Sequence, residues 1–175
     1  SFPTRRSSDL VTIARADMHG LLLDAVRRQG KVHLRLSSEV TRVDQDEQTV
    51  RVQTLTQNFH APMLVGADGV WSRLRKEVVD DGAPRVTGHL AFRALVPQAD
   101  LPEKLRSKVV TAWLGRDFHV VQYPVRRGEW LNVVAIVHGH VYGDPKHWDH
   151  SANAAELRTR LAGATKALRD LVHAI

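Results

Sequence analysis

The chain has 175 residues, of which 43% are hydrophobic and 25% charged, with a net charge of +6 and no cysteine. That balance fits a soluble globular chain the size of one ordinary domain, excludes disulfides, thiolate zinc sites and a cysteine nucleophile, and leaves no apolar run near the ~20 residues of a membrane span. The basic residues are interspersed with acidic ones and gather only in doublets such as Arg27-Arg28 and Arg126-Arg127, so small anions, not nucleic acid, are the expected partners of the positive charge.

The segment Ser1 to Leu10 reads as the in-frame translation of a sequencing-library adapter and is expected to lie outside the fold. Ala16 to Gln29 has the spacing of an amphipathic helix. Met18, Leu21, Leu22, Ala25 and Val26 recur every three or four positions, Asp17 lies in the first turn and Gly30 supplies the stop. Val32 to Leu34 predicts a short strand, and the alternation of Glu39 to Asp44 and Gln48 to Thr54 around Gln45-Asp46-Glu47 predicts a hairpin. Phe59 to Met63 leads into the apolar run Met63-Leu64-Val65, read as a buried strand, and Trp71 to Val79 predicts a short helix. Asp80-Asp81-Gly82-Ala83-Pro84 is the strongest punctuation and marks the expected domain boundary. Beyond it, Thr87 to Val96, Val109 to Leu114, Phe118 to Val125 and Trp130 to His138 predict an antiparallel meander, with turns at Pro97, Gly115 and Arg126-Arg127-Gly128. Such a sheet can floor a ligand pocket. Helical spacing returns over Ala154 to Leu161 and Ala167 to Val172.

The most informative run is Gly66-Ala67-Asp68-Gly69-Val70-Trp71-Ser72-Arg73-Leu74-Arg75. Two glycines flank an aspartate where an apolar segment ends, so the backbone can turn tightly and approach a ligand. The carboxylate can accept hydrogen bonds from ligand hydroxyls. The N-terminus of the following helix is expected to offer free N–H groups to a phosphate, with Ser72 adding a donor and Arg73 and Arg75 adding positive charge. The plainer alternative is a helix cap by Asp68.

This run resembles the Asp-Gly fingerprint of class A FAD-dependent aromatic monooxygenases. The lead-in Arg15-Ala16-Asp17-Met18-His19-Gly20-Leu21-Leu22 and the strand Phe92-Arg93-Ala94-Leu95-Val96-Pro97 resemble the same family. The stretch His119-Val120-Val121-Gln122-Tyr123-Pro124-Val125-Arg126-Arg127-Gly128-Glu129-Trp130-Leu131-Asn132 resembles its 3-hydroxybenzoate 6-hydroxylase and salicylate hydroxylase branch. The resemblance implies an α/β (α+β) fold: a partial FAD-binding domain over residues 11–82, then a partial antiparallel-sheet substrate domain over 83–175. It also implies that the family's glycine-rich pyrophosphate loop lies upstream and its later Gly-Asp motif downstream, so that this is a fragment, inactive alone. The implied parent is a cytoplasmic enzyme and a homodimer, using FAD and NAD(P)H to hydroxylate a small aromatic substrate, with no membrane or nucleic-acid partner. A same-fold oxidase, halogenase or ubiquinone-pathway hydroxylase, or a non-catalytic binding module, are the alternatives.

By the same resemblance, Arg15, Gly66, Ala67, Asp68, Gly69, Ser72 and Arg75 contact the cofactor, and Val40 meets the adenine through its backbone. His119 contacts the substrate, where an imidazole can accept a phenol proton. Gln122 and Tyr123 are further substrate candidates, although alternation puts His119 on a face with Val121 and Tyr123 and not with Gln122. His138-Gly139-His140 and His147-Trp148-Asp149-His150 have no established metal-ligand spacing and are read as surface loop, with no metal expected.

Overall fold

The structure is a computed structural model that describes residues 12–140, 144, 146 and 153–175. The expected leader and His147 to His150 therefore lie outside the described residues. The chain is a mix of helices and antiparallel sheets and divides into two compact units. One is Ala25–Arg85; the other joins the described residues up to Asp24 with Val86–Ile175. The division falls inside the first helix, α1 (Arg15–Arg28), and at Arg85/Val86, one residue beyond the Asp80-to-Pro84 punctuation. No helix among the described residues is long and apolar enough to cross a membrane.

In the unit Ala25–Arg85, the predicted hairpin forms. Strands β1 (Val40–Gln45) and β2 (Val50–Thr54) pair antiparallel from Gln45↔Val50 to Val40↔Thr54. Asp46 fixes the turn, its Oδ1 accepting from the N–H groups of Gln48 and Thr49 at 3.0 and 2.9 Å. Strand β3 (Asn58–Ala61) adds to β2 and completes the sheet in the order β1-β2-β3. Helix α2 (Arg73–Val78) is anchored to β1 through Arg73 Nη2, which donates to the Thr41 carbonyl at 2.7 Å.

Two strand expectations fail here. Val32 to Leu34 is irregular and exposed, and Met63-Leu64-Val65 is neither a strand nor buried, with Met63 73% and Val65 75% exposed. Strand β3 ends at Ala61, and no described segment pairs with residues 63–65. An apolar run becomes a strand only where a neighbour takes its backbone hydrogen bonds.

The other unit holds a four-stranded sheet of β4 (His89–Pro97), β5 (Thr111–Leu114), β6 (Phe118–Val125) and β7 (Trp130–His138), in the order β4-β7-β6-β5. The expected meander holds only for β5-β6-β7. Strand β4 crosses to the far side of β7, because its nine residues match β7 pair for pair from His89↔His138 to Pro97↔Trp130, whereas β5 has four. The buried Gln98 secures the crossover: its Nε2 donates to the carbonyls of Ser107 and Gly128, and its Oε1 accepts from Ser107 N–H at 2.7 Å.

One face of this sheet is the core. Val120, Leu131, Val133, Ala135 and Val137 are almost fully buried against Leu101 and helices α3 (Ala154–Arg160) and α4 (Lys166–Ala174), which contribute Leu157, Leu168, Leu171 and Val172. Each such side chain contributes about 1.5–3 kcal/mol by leaving water. The opposite face carries His89, Ala91, Arg93 and Leu95 from β4, and His119, Val121 and Tyr123 from β6; the β4 residues are exposed, as is His119.

Candidate functional site

The Asp-Gly run forms a compact, hydrogen-bonded turn. Asp68 Oδ1 accepts from Ser72 Oγ–H at 2.6 Å, and Oδ2 accepts from the N–H groups of Arg73 and Leu74 at 2.9 and 3.2 Å. Ser72 is the N-cap of α2, its Oγ accepting from Arg75 N–H at 2.9 Å. The first-turn N–H groups are thus taken by Asp68 and Ser72, which corrects the expectation that they stand free for a phosphate. The Ser72 hydroxyl, then the N–H groups of Leu74 and Arg73, hold the Asp68 carboxyl below the usual carboxylate range, so it is an anion at neutral pH.

Arg75 turns toward Asp81. Its Nε donates to both carboxylate oxygens at 2.7 and 3.0 Å, and its Nη2 adds a third contact. The pairing raises the Arg75 pKa and lowers that of Asp81. Sequence reasoning missed Asp81 because it read Asp80-Asp81-Gly82 only as punctuation. With Gly66, Asp68, Gly69, Ser72 and Arg75, Asp81 lines an open cleft of about 520 Å³ whose apolar wall includes Val50, Leu64 and Val78.

The cleft fits part of a flavin nucleotide. It has the size of a small-molecule site, an apolar wall beside polar groups, and a point of close backbone access at Gly69. Gly69 has a φ of +83°, and open space lies where a side chain would project. Ala67 is exposed within the same turn, and Val40 is half-buried at the start of β1, next to the Thr41 carbonyl that receives Arg73.

Arg15 lies at the exposed first turn of α1, in the other unit. Its neighbour Asp17 is fixed there by a two-point contact with Arg126, Oδ2 to Nε and Oδ1 to Nη2, both at 3.1 Å.

The substrate candidates separate by face. His119 and Tyr123 lie on the open face of the four-stranded sheet, with Val121 between them. Gln122 points the other way: it is 7% exposed, and its Oε1 accepts from Trp113 Nε1 at 3.3 Å. Period-two alternation dictates this, and it puts Gln122 on the core face, opposite to His119 and Tyr123. His119 borders a cleft of about 470 Å³ that also includes His89, Ile136, His138 and Arg116. His89 and His138 pair across β4 and β7, with ring centroids 5.5 Å apart and planes at 88°. The sequence ends a strand at His138 and continues as loop through His140; only the register of distant strands sets His138 against His89. Among the described residues, no three side chains of ligating type are arranged to hold a metal ion.

Known proteins resemble this chain over most of its length. The chain is 42% identical over 125 residues to 3-hydroxybenzoate 6-hydroxylase 1 of Aquipseudomonas alcaligenes, covering 70% of this chain and 31% of that protein. It is 36% identical over 174 residues to 3-hydroxybenzoate 6-hydroxylase of Polaromonas naphthalenivorans, covering 98% of this chain and 42% of that protein. The chain thus spans less than half the length of either relative. A solved structure of a salicylate hydroxylase substrate complex superposes with a TM-score of 0.68 at 26% identity, over 92% of this chain and 43% of that one. The family described as FAD binding domain matches residues 5–169, and the chain belongs to that family.

Proposed function

We propose that this chain is the central part of a flavin-dependent hydroxylase that uses NAD(P)H and inserts one atom of O2 into the ring of a hydroxybenzoate. The observation that carries the reading is the placement of His119 and Tyr123 on one open sheet face in a chain of this family, supported by 42% identity to a 3-hydroxybenzoate 6-hydroxylase. A monohydroxybenzoate is the substrate, with 3-hydroxybenzoate ahead of salicylate. Residues 11–82 contribute to the FAD side and residues 83–175 to the substrate side of a cytoplasmic homodimer.

The chemistry supplied by bound FAD is activation of O2 after reduction by NAD(P)H. The protein's own groups bind, orient and deprotonate. Gly66, Ala67 and Gly69 give the cofactor backbone access, and Val40 meets the adenine. Asp68 and Ser72 hold the turn in shape, with the Asp68 carboxylate as a fixed negative charge; Arg15 supplies positive charge, and Arg75 contacts the cofactor from its pairing with Asp81. His119 accepts the proton of the substrate's phenol oxygen, which makes the ring electron-rich where oxygen is added. Tyr123 sets the ring's position on the sheet face it shares with His119 and Val121.

The test is His119→Ala in the full-length flavoprotein. FAD content should stay intact while product formation falls by ~10²–10⁴-fold, with hydrogen peroxide accounting for the NAD(P)H consumed. Normal coupling of NAD(P)H to product in that variant would remove His119 from the site.

A further inference from the structure

We infer that the His89–His138 pair is a carboxylate-recognition site, and that it selects aromatic acids over neutral phenols on the sheet face where His119 acts. The inference rests on the proposed hydroxylase reading and adds two residues to it.

The register of the strands sets the geometry. On the open face, Ile136 of β7 lies directly opposite His119 of β6, and His138 is the next residue of β7 on that face. Same-face diagonal neighbours in an antiparallel sheet stand roughly 7–8 Å apart. An aromatic ring resting on Ile136 therefore has His119 at one edge and His138 at another, and across the strand from His138 stands His89. All four residues line the same cleft of about 470 Å³, ample for one ring, since a cavity of about 150 Å³ holds benzene. A hydroxybenzoate presents two polar groups to such a face. With His119 taken by the phenol, the carboxylate meets the histidine pair.

The pair is pre-organised for that task. The edge-to-face contact at 5.5 Å limits rotation of both rings. His89 Nδ1 lies 3.2 Å from Thr87 Oγ1, and a Thr87 hydroxyl donating there leaves the His89 proton on Nε2, free to give to an anion. The backbone at His138 is pinned on both sides: Arg160 Nη1 donates to its carbonyl at 2.6 Å, and Gly139 N–H donates to the Gly88 carbonyl at 2.7 Å. Gly88 has a φ of +77°, and a Cβ there would stand 3.2 Å from His138 Nε2, so the ring's seat depends on that glycine. Arg116 and Asp117, one of each charge, also line the cleft from the β5–β6 turn.

The experiment is an NMR titration of the full-length flavoprotein with 3-hydroxybenzoate and, separately, with phenol, following the imidazole resonances of His89, His119 and His138. Both ligands should shift His119, and only 3-hydroxybenzoate should also shift His89 and His138. His89→Phe and His138→Phe keep a ring in place while removing the N–H donor. Each should weaken 3-hydroxybenzoate about tenfold, as loss of a charge-assisted hydrogen bond does, and leave phenol unchanged. Gly88→Ala should reproduce the His138→Phe effect by displacing the ring. If His119 responds but both Phe variants keep the preference for the acid, or if Arg116→Ala abolishes it instead, the carboxylate site is elsewhere and the hydroxylase reading stands. If neither ligand shifts His119, both the inference and the reading of the sheet face fail.

Discussion

The two units of this chain use their apolar residues in opposite ways. In the unit that includes Val86–Ile175, Leu101, Val120, Leu131, Leu168 and Leu171 are at most 2% exposed and form one continuous core between sheet and helices. In Ala25–Arg85 no residue is buried, while Leu36, Leu55, Met63 and Val65 are each more than 70% exposed. What shapes that unit is polar and local: the Asp46 turn, the Asp68–Ser72 cap, the Arg75–Asp81 pair and the Arg73 tie to Thr41. A core needs two apolar faces that meet, and a fold without one depends on caps and turns whose individual contributions are small. The Asp-Gly run, proposed to meet the cofactor, thus lies on the less stabilised unit, and His119 and Tyr123, proposed to meet the substrate, on the well-packed one. That contrast suits a turn that must admit a nucleotide and a floor that must stay rigid.

The comparison is sharpest in the core. Leu131→Ala should destabilise the chain by about 2–5 kcal/mol in urea denaturation. Gln98→Ala should cost about 1–3 kcal/mol, because Ser107 N–H and the Ser107 and Gly128 carbonyls lose their buried partner. Ser72→Ala should cost about 0.5–2 kcal/mol and act locally: amide exchange should quicken over Arg73–Val79 while β6 and β7 stay protected. Equal acceleration in both units would show that they unfold as one and would break the comparison.

Acid should act in the same local way. The Asp68 carboxyl is held low by the Ser72 hydroxyl and the N–H groups of Leu74 and Arg73. Its contribution to the α2 cap is therefore complete above the unfolded aspartate value of about 4 and is lost as pH falls through the lower folded value. Protection of the α2 amides should decline in that window, and Asp68→Asn should remove the decline. The smallest effect belongs to Leu55, 82% exposed, where Leu55→Ala should change stability by no more than about 0.5 kcal/mol. A cost there equal to that of Leu131→Ala would mean that the apolar surface of this unit is covered in solution.

Much of this was legible in the sequence, because the elements announce themselves locally. Strands β6 and β7 begin and end where alternation and the Gly115 and Arg126-Arg127-Gly128 turns put them, and α1, α2 and the β1–β2 hairpin fall within a residue or two of their signals. The opposite facing of His119 and Gln122 followed from period two alone. What stayed hidden depends on partners distant in the chain. Met63-Leu64-Val65 carries a strand's composition without a neighbour to pair with, and β4 finds β7 through a register that no local pattern encodes. At the candidate site, the sequence placed Asp68, Ser72 and Arg75 together but could not show that their hydrogen bonds turn inward, or that Arg75 faces Asp81. The His89–His138 pair was invisible for the same reason as the β4 pairing.

The most direct test of the proposed hydroxylation supplies the full-length flavoprotein with 3-hydroxybenzoate, NAD(P)H and oxygen-18-labelled O2, and weighs the aromatic product by mass spectrometry. The account predicts a dihydroxybenzoate carrying one labelled oxygen on the ring, formed in step with NAD(P)H consumption. Unlabelled substrate recovered intact, with all the consumed NAD(P)H appearing as labelled hydrogen peroxide, would contradict it.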